Sequence, residues 1–176
     1  DGLPPAVTAG FLARTPSSRV TLGTLTEVTP ALRALFARVA LPHCPACGST
    51  VVARTREAVT AELLSRPEGT RVVLLAAHGQ GAAAWVAAQR EGFVRARVSD
   101  GPVQRIEDVE PDTIDDDSPI AVVVDRLVVK QGAAERFATS VEQGLGLGQG
   151  LLLALVTTKG GTEESITFAE RPYCAS

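Results

Sequence analysis

Aromatic residues are scarce in this chain, making up only 4% of its 176 positions. The core must therefore come from Val, Leu, Ile and Ala. No apolar run reaches about 18 residues, which excludes a membrane-spanning helix by sequence. A basic surplus is also missing: 17 Lys and Arg stand against 20 Asp and Glu, for a formal net charge of -3. That excludes a domain-wide positive field for nucleic acid, so any DNA contact would be a local patch. Cysteine is limited to Cys44, Cys47 and Cys174. An odd count with one close pair is a poor disulfide framework and fits a reducing cytosol, so a cytoplasmic location is expected. The opening DGLPPAVTAG lacks the basic stretch of a signal peptide. With no initiator Met, both ends read as cut from something longer.

What is present describes a folded domain. The apolar fraction is 45% and the charged fraction 21%, and the length suits one domain with a real core. Residues 1–27 are rich in Pro, Thr and Gly and read as an extended arm. Thr29 and Pro30 then signal a helix start. Leu32, Leu35, Phe36 and Val39 follow at helical spacing and predict one buried face, ended by Pro42. A short strand is expected over Val51–Ala53, a helix over Arg56–Leu64, a buried strand over Arg71–Ala76 and a helix over Ala82–Arg90. Phe93–Val98 alternates, with Arg95 and Arg97 on one side and Val94, Ala96 and Val98 on the other. Val103–Ile106 is its expected hairpin partner. Glu107–Ser118 reads as an acidic loop and Ile120–Val129 as a strand. A helix over Ala133–Leu145 precedes a hairpin of Leu151–Thr158 and Ser165–Ala169. This order predicts an α/β or α+β fold, with helices packed against a mixed sheet.

Several motifs invite chemistry. Cys44-Pro45-Ala46-Cys47-Gly48 has the shape of a zinc knuckle, but a closed structural site needs four ligands. His43 is the only other nearby candidate and Cys174 is remote in sequence, so an incomplete zinc set and a metal-free pair both stay open. The glycine-rich run Gly144–Gly150 closes a helix instead of opening one and lacks the Lys-Ser/Thr of a phosphate loop. His78-Gly79-Gln80-Gly81 mimics an oxyanion loop without any G-x-S-x-G nucleophile. Asp115-Asp116-Asp117 shows no cation-loop spacing and reads as solvated. Arg95 and Arg97 stand roughly 7 Å apart on one strand face. Two guanidiniums so placed can fork the carboxylates of a partner, and Arg71 could extend the patch. Asp125 and Arg126 interrupt an apolar strand with charges on opposite faces, one suited to a rim contact and the other to an internal ion pair.

Taken in order, these segments resemble the UvrA family of bacterial nucleotide excision repair. Arg19–Val39 matches R-x-T-[LV]-G-T-x-T-E followed by LFARV. Pro42–Gly48 matches P-H-C-P-x-C-G, Pro67–Val72 PEGTRV, Gly92–Val98 GF-V-R-x-R-V, Val122–Lys130 VVVDRLVVK and Ser140–Leu151 SVExxLxLGxGL. The resemblance implies an insertion in an ABC-type ATPase domain that uses ATP and Mg²⁺ in a homodimeric parent protein. Residues 1–27 would belong to ATPase domain I, 28–166 to a module that binds UvrB, and 167–176 to the return segment and the start of a zinc module. Phe11 stands where the resemblance expects the Q-loop Gln. The basic stretches flanking the module are shortened or acidic here, which marks a diverged member. The expectation is a docking module with Arg71, Arg95, Arg97 and Arg126 as contacts, zinc possible at Cys44 and Cys47, and no catalytic site in this chain. A direct nucleic-acid contact is the alternative. DNA otherwise enters through the parent.

Overall fold

The structure, a computed structural model, describes residues 20–174. Phe11 and most of the expected arm lie outside them. The chain divides into two compact units, with the boundary between Leu41 and Pro42.

In the first unit, α1 (Leu22–Leu25) is a single turn capped by Thr21, whose hydroxyl accepts from the Thr24 amide. It lies within the expected arm. Next comes α2 (Val28–Val39), which starts one residue before the expected Thr29 cap. Glu27 occupies the cap position at φ 59 and makes no side-chain capping bond. The apolar stripe is where the spacing puts it, but it is not buried. Leu32, Leu35, Phe36 and Val39 are 45%, 53%, 61% and 70% exposed. Among the described residues of this unit, the one-turn α1 is the helix that packs on α2, and it is too short to cover such a stripe.

The second unit carries α3 (Arg56–Leu64), β1 (Arg71–Gln80), α4 (Gly81–Arg90), β2 (Arg95–Val98), β3 (Gln104–Arg105), β4 (Pro119–Val128), α5 (Ala134–Leu147), β5 (Leu151–Thr157) and β6 (Glu163–Ala169). The six strands form one sheet in the order β3-β2-β4-β1-β5-β6. Every pairing is antiparallel. The fold is therefore α+β, and the expected mixed sheet is corrected to one in which every ladder is antiparallel: α4 carries the chain from β1 to β2 across β4, and α5 carries it from β4 to β5 across β1, so strands that run the same way are never neighbours. Val51–Ala53 is not a strand; the ladder there is a single bridge between His43 and Thr50.

All three helices of this unit cover one side of the sheet. From α3 and α5, Val59, Leu63, Phe137, Val141 and Leu145 pack on Val72, Leu74, Leu152 and Phe168. From α4, Trp85 and Ala88 pack on Ala76, Ala96, Ile120 and Val122. The alternation of strand side chains puts Val72, Leu74 and Ala76 on that side. It turns Arg71, Val73, Leu75 and Ala77 to the other. Opposite Leu74 and Leu75 the β4 ladder slips by one residue, because Leu74 pairs with Asp125 and Leu75 with Val123. This bulge keeps Val124 packed on the core. It also aims Asp125 toward α5 and returns Arg126 to the helix-free face.

Candidate docking face and thiol cluster

The face without helices has two shallow clefts. One, about 520 Å³, is lined by Arg71, Val73, Arg126, Val128, Leu155 and Glu163, with Pro102 and Val103 from the β2–β3 loop. Arg71 and Arg126 sit on neighbouring strands, since Arg71 pairs with Val128 and Val73 with Arg126. Among the described residues, neither guanidinium is in an ion pair. Two unneutralised guanidiniums beside a half-buried apolar floor form a surface suited to a carboxylate-bearing partner. The second cleft, about 450 Å³, is lined by Ala77, Asp100, Ala121, Leu153, Thr167 and Tyr173, among others.

The four arginines expected to act together divide into two sets. Arg71 and Arg126 share the first cleft. Arg95 and Arg97 lie on β2, across β4 from β1, and neither lines that cleft. Arg95 is half-buried and pairs with Arg105 of β3, which is bonded to Glu107 at 2.9 Å. Arg97 is buried, with 6% of its surface exposed. Its Nε donates to the Gly101 carbonyl at 2.8 Å and Nη2 to Asp100 Oδ1 at 3.3 Å.

Asp125 resolves as the internal charge and Arg126 as the surface one. The Asp125 carboxylate accepts from Arg136 at 2.9 and 3.2 Å, from the Ser140 hydroxyl at 2.7 Å and from the Arg126 amide at 2.7 Å. Partial burial pushes its carboxyl up, but these donors outweigh that and hold it below the ordinary aspartate range.

At the knuckle, the Cys44 amide donates to Ser49 O at 2.8 Å and the Gly48 amide to Cys44 O at 2.9 Å. Gly48 adopts φ 73, which glycine takes without strain. His43, the ligand candidate nearest in sequence, instead turns Nδ1 to the Gly48 carbonyl at 3.0 Å. The third sulfur comes from Cys174, past the end of β6. Cys44, Cys47 and Cys174 place their sulfurs within 4.8 Å of one another, and Cys47 and Cys174 are 3.4 Å apart. Zinc–sulfur bonds of about 2.3 Å set the edge of a tetrahedron at roughly 3.8 Å, so these thiols fit three corners of one ion. Among the described residues no fourth His, Cys, Asp or Glu joins the group. The sequence sets Cys174 aside as remote, 127 residues from Cys47, and the resemblance gives its segment to the start of a zinc module; the odd cysteine was the signal that it could join the first pair.

The other motifs take structural roles. His78 lies edge-on to Phe93, with ring centroids 5.5 Å apart, and its Nε2 is 3.7 Å from Glu91. The glycine-rich run ends α5, where the Gly150 amide donates to Leu145 O at 2.7 Å.

Comparison with known proteins decides the family. Residues 54–158 match the family model described as the UvrA interaction domain. The chain belongs to that family. It is 36% identical to the UvrABC system protein A of Streptomyces avermitilis and 35% identical to that of Bacillus subtilis, each over 99% of this chain. It is 38% identical to the Mycobacterium tuberculosis protein over 87% of the chain. These matches span only 18%, 18% and 16% of the respective relatives. The chain therefore corresponds to under a fifth of a UvrABC system protein A. The matched segment holds all of β1 to β5 and all four candidate arginines. No helix among the described residues is long and apolar enough to cross a membrane.

Proposed function

We propose that this chain is the partner-docking module of a UvrA-like excision-repair protein, and that its partner is UvrB. The observation that carries this reading is the helix-free sheet face, where Arg71 and Arg126 line one cleft without ion-pair partners among the described residues. The module runs over residues 28–166, between an arm and a return segment that belong to ATPase domain I. ATP and Mg²⁺ chemistry, DNA contact and homodimer assembly are assigned to the remainder of the parent, in the cytoplasm. The thiols of Cys44, Cys47 and Cys174 supply three ligands of a zinc site whose fourth corner is filled from outside the described residues.

Calorimetry of this chain with UvrB tests the docking reading. Arg71→Glu with Arg126→Glu is expected to weaken binding at least tenfold, with the melting temperature retained, and wild-type affinity is expected to fall as salt rises. Unchanged affinity in the double variant would falsify it. Binding of duplex DNA in place of UvrB, read by fluorescence anisotropy at low salt, would favour direct nucleic-acid contact instead.

A further inference from the structure

Arg97 sits on the helix-free face, two residues along β2 from Arg95, and pairs in register with Ala121, which lines the second cleft. The β2–β3 loop conceals it. This loop supplies Ser99 and Asp100 to the second cleft and Pro102 and Val103 to the first. It therefore bridges the two. Leu75 and Leu155 are buried although they lie on this face.

The loop is lightly held. Its backbone anchors are Ser99 N to Pro119 O at 2.8 Å and Gly101 N to Val98 O at 3.0 Å. Ser99 adopts φ 49, an unfavourable region for a residue with a side chain. The Asp100 side chain is fully exposed, so water competes for its bond to Arg97. Among the described residues, Arg97 Nη1 is the one buried side-chain nitrogen or oxygen with no hydrogen-bond partner. A guanidinium offers five donors in a fork that matches a carboxylate, and the closed loop leaves part of that fork unused. A buried charged group left short of partners is costly.

We infer that the β2–β3 loop is a flap and Arg97 a concealed docking contact: an approaching partner carboxylate lifts the loop and takes Arg97 from Asp100 and Gly101. This rests on the docking reading above and specifies its chemistry. Arg95, already partly exposed, receives the partner's acidic segment first. Arg97 engages second, so the flap discriminates for a segment carrying two carboxylates spaced to meet alternate residues of β2.

Asp100→Asn separates this from a purely structural role, because it weakens the closed state without touching the partner. In the chain alone, hydrogen exchange at the Ser99 and Gly101 amides is expected to speed up. In calorimetry, UvrB is expected to bind about two- to fivefold more tightly, the range that loss of one exposed ion pair allows. The gain should vanish in an Arg97→Gln background. Arg97→Lys keeps the charge but loses the fork, and serves as a second background should the glutamine variant lose its fold. The inference is overturned if Asp100→Asn leaves affinity unchanged or lowers it, or if its gain survives both Arg97 substitutions. If wild type binds and responds to Arg71→Glu with Arg126→Glu while Asp100→Asn does nothing, the flap fails alone. If wild type does not bind UvrB, the docking reading fails and takes the flap with it.

Discussion

Asp125 interrupts a strand of apolar residues, and its place in the fold depends on one carboxylate collecting four donor bonds. Arg136 and Ser140 come from α5 and the Arg126 amide from β4 itself, so the group ties helix to sheet beside the bulge. Asp125→Ala removes the acceptor and leaves the Ser140 hydroxyl, on a buried residue, without its partner. The expected loss is about 1–3 kcal/mol of unfolding free energy, measured by urea titration at neutral pH. The pH dependence has a definite sign. The folded carboxyl is held below its unfolded value, so its contribution is present above the unfolded value of about 3.9. It is lost as pH falls through the folded value. The difference between wild type and Asp125→Ala should therefore shrink steadily below about pH 4. A difference that persists unchanged at pH 2 would contradict the assignment. Charges on opposite faces were legible from the DR pair. Which charge went inward was not, because the bulge at Val124 depends on the register of β4 against β1.

At the scale of elements, the β1–α4 junction shows how a glycine and an acidic loop fit together. Gly81 opens α4 at φ 70, and its amide donates to Ser118 O at 2.9 Å. A Cβ there would lie 2.7 Å from the Asp116 carbonyl oxygen. Backbone cannot retreat as a flexible side chain can. Gly81→Ala thus combines left-handed strain with a hard contact, and about 2–4 kcal/mol of destabilisation is expected. Gly92 supplies the control. It has φ 88, but a Cβ there would meet nothing within 4 Å, so Gly92→Ala should lose only about 1–2 kcal/mol. Equal losses in thermal or urea unfolding would refute the packing of the acidic loop on α4. The elements were largely legible. Thr55 caps α3 by accepting from Ala58 N, and the helix occupies Arg56–Leu64 as its pattern predicts. The alternation of β2 was legible too, whereas the burial of Arg97 was not. Period-two patterning assigns a face, but it cannot show that a loop from the same hairpin folds back across it. The stripe of α2 has the same limit: helical spacing identifies an apolar face and says nothing of what covers it.

At the scale of the whole molecule, the thiol cluster bears on stability more than any single contact. It joins Cys44 and Cys47, where the second unit begins, to Cys174 beyond its last strand, closing a loop of 127 residues between Cys47 and Cys174. Cross-linking so long a loop removes unfolded-state entropy on the order of 4–5 kcal/mol in the chain-entropy treatment. A metal held by these sulfurs should stabilise the unit by a comparable amount, less whatever its binding to the unfolded thiols offsets. One kcal/mol shifts the melting temperature of a chain this size by about 2–4 °C. We therefore expect elemental analysis to find near-stoichiometric zinc in chain purified without chelator. Stripping it, or substituting Cys174→Ser, should lower the melting temperature by about 5 °C or more. The two perturbations should not add, because each opens the same loop. Affinity for zinc should also fall with acid, since thiolates are the ligands and protons compete for them. Chain that purifies metal-free, refuses added zinc and melts at the same temperature as Cys174→Ser would show the three sulfurs to be neighbours without a shared ion.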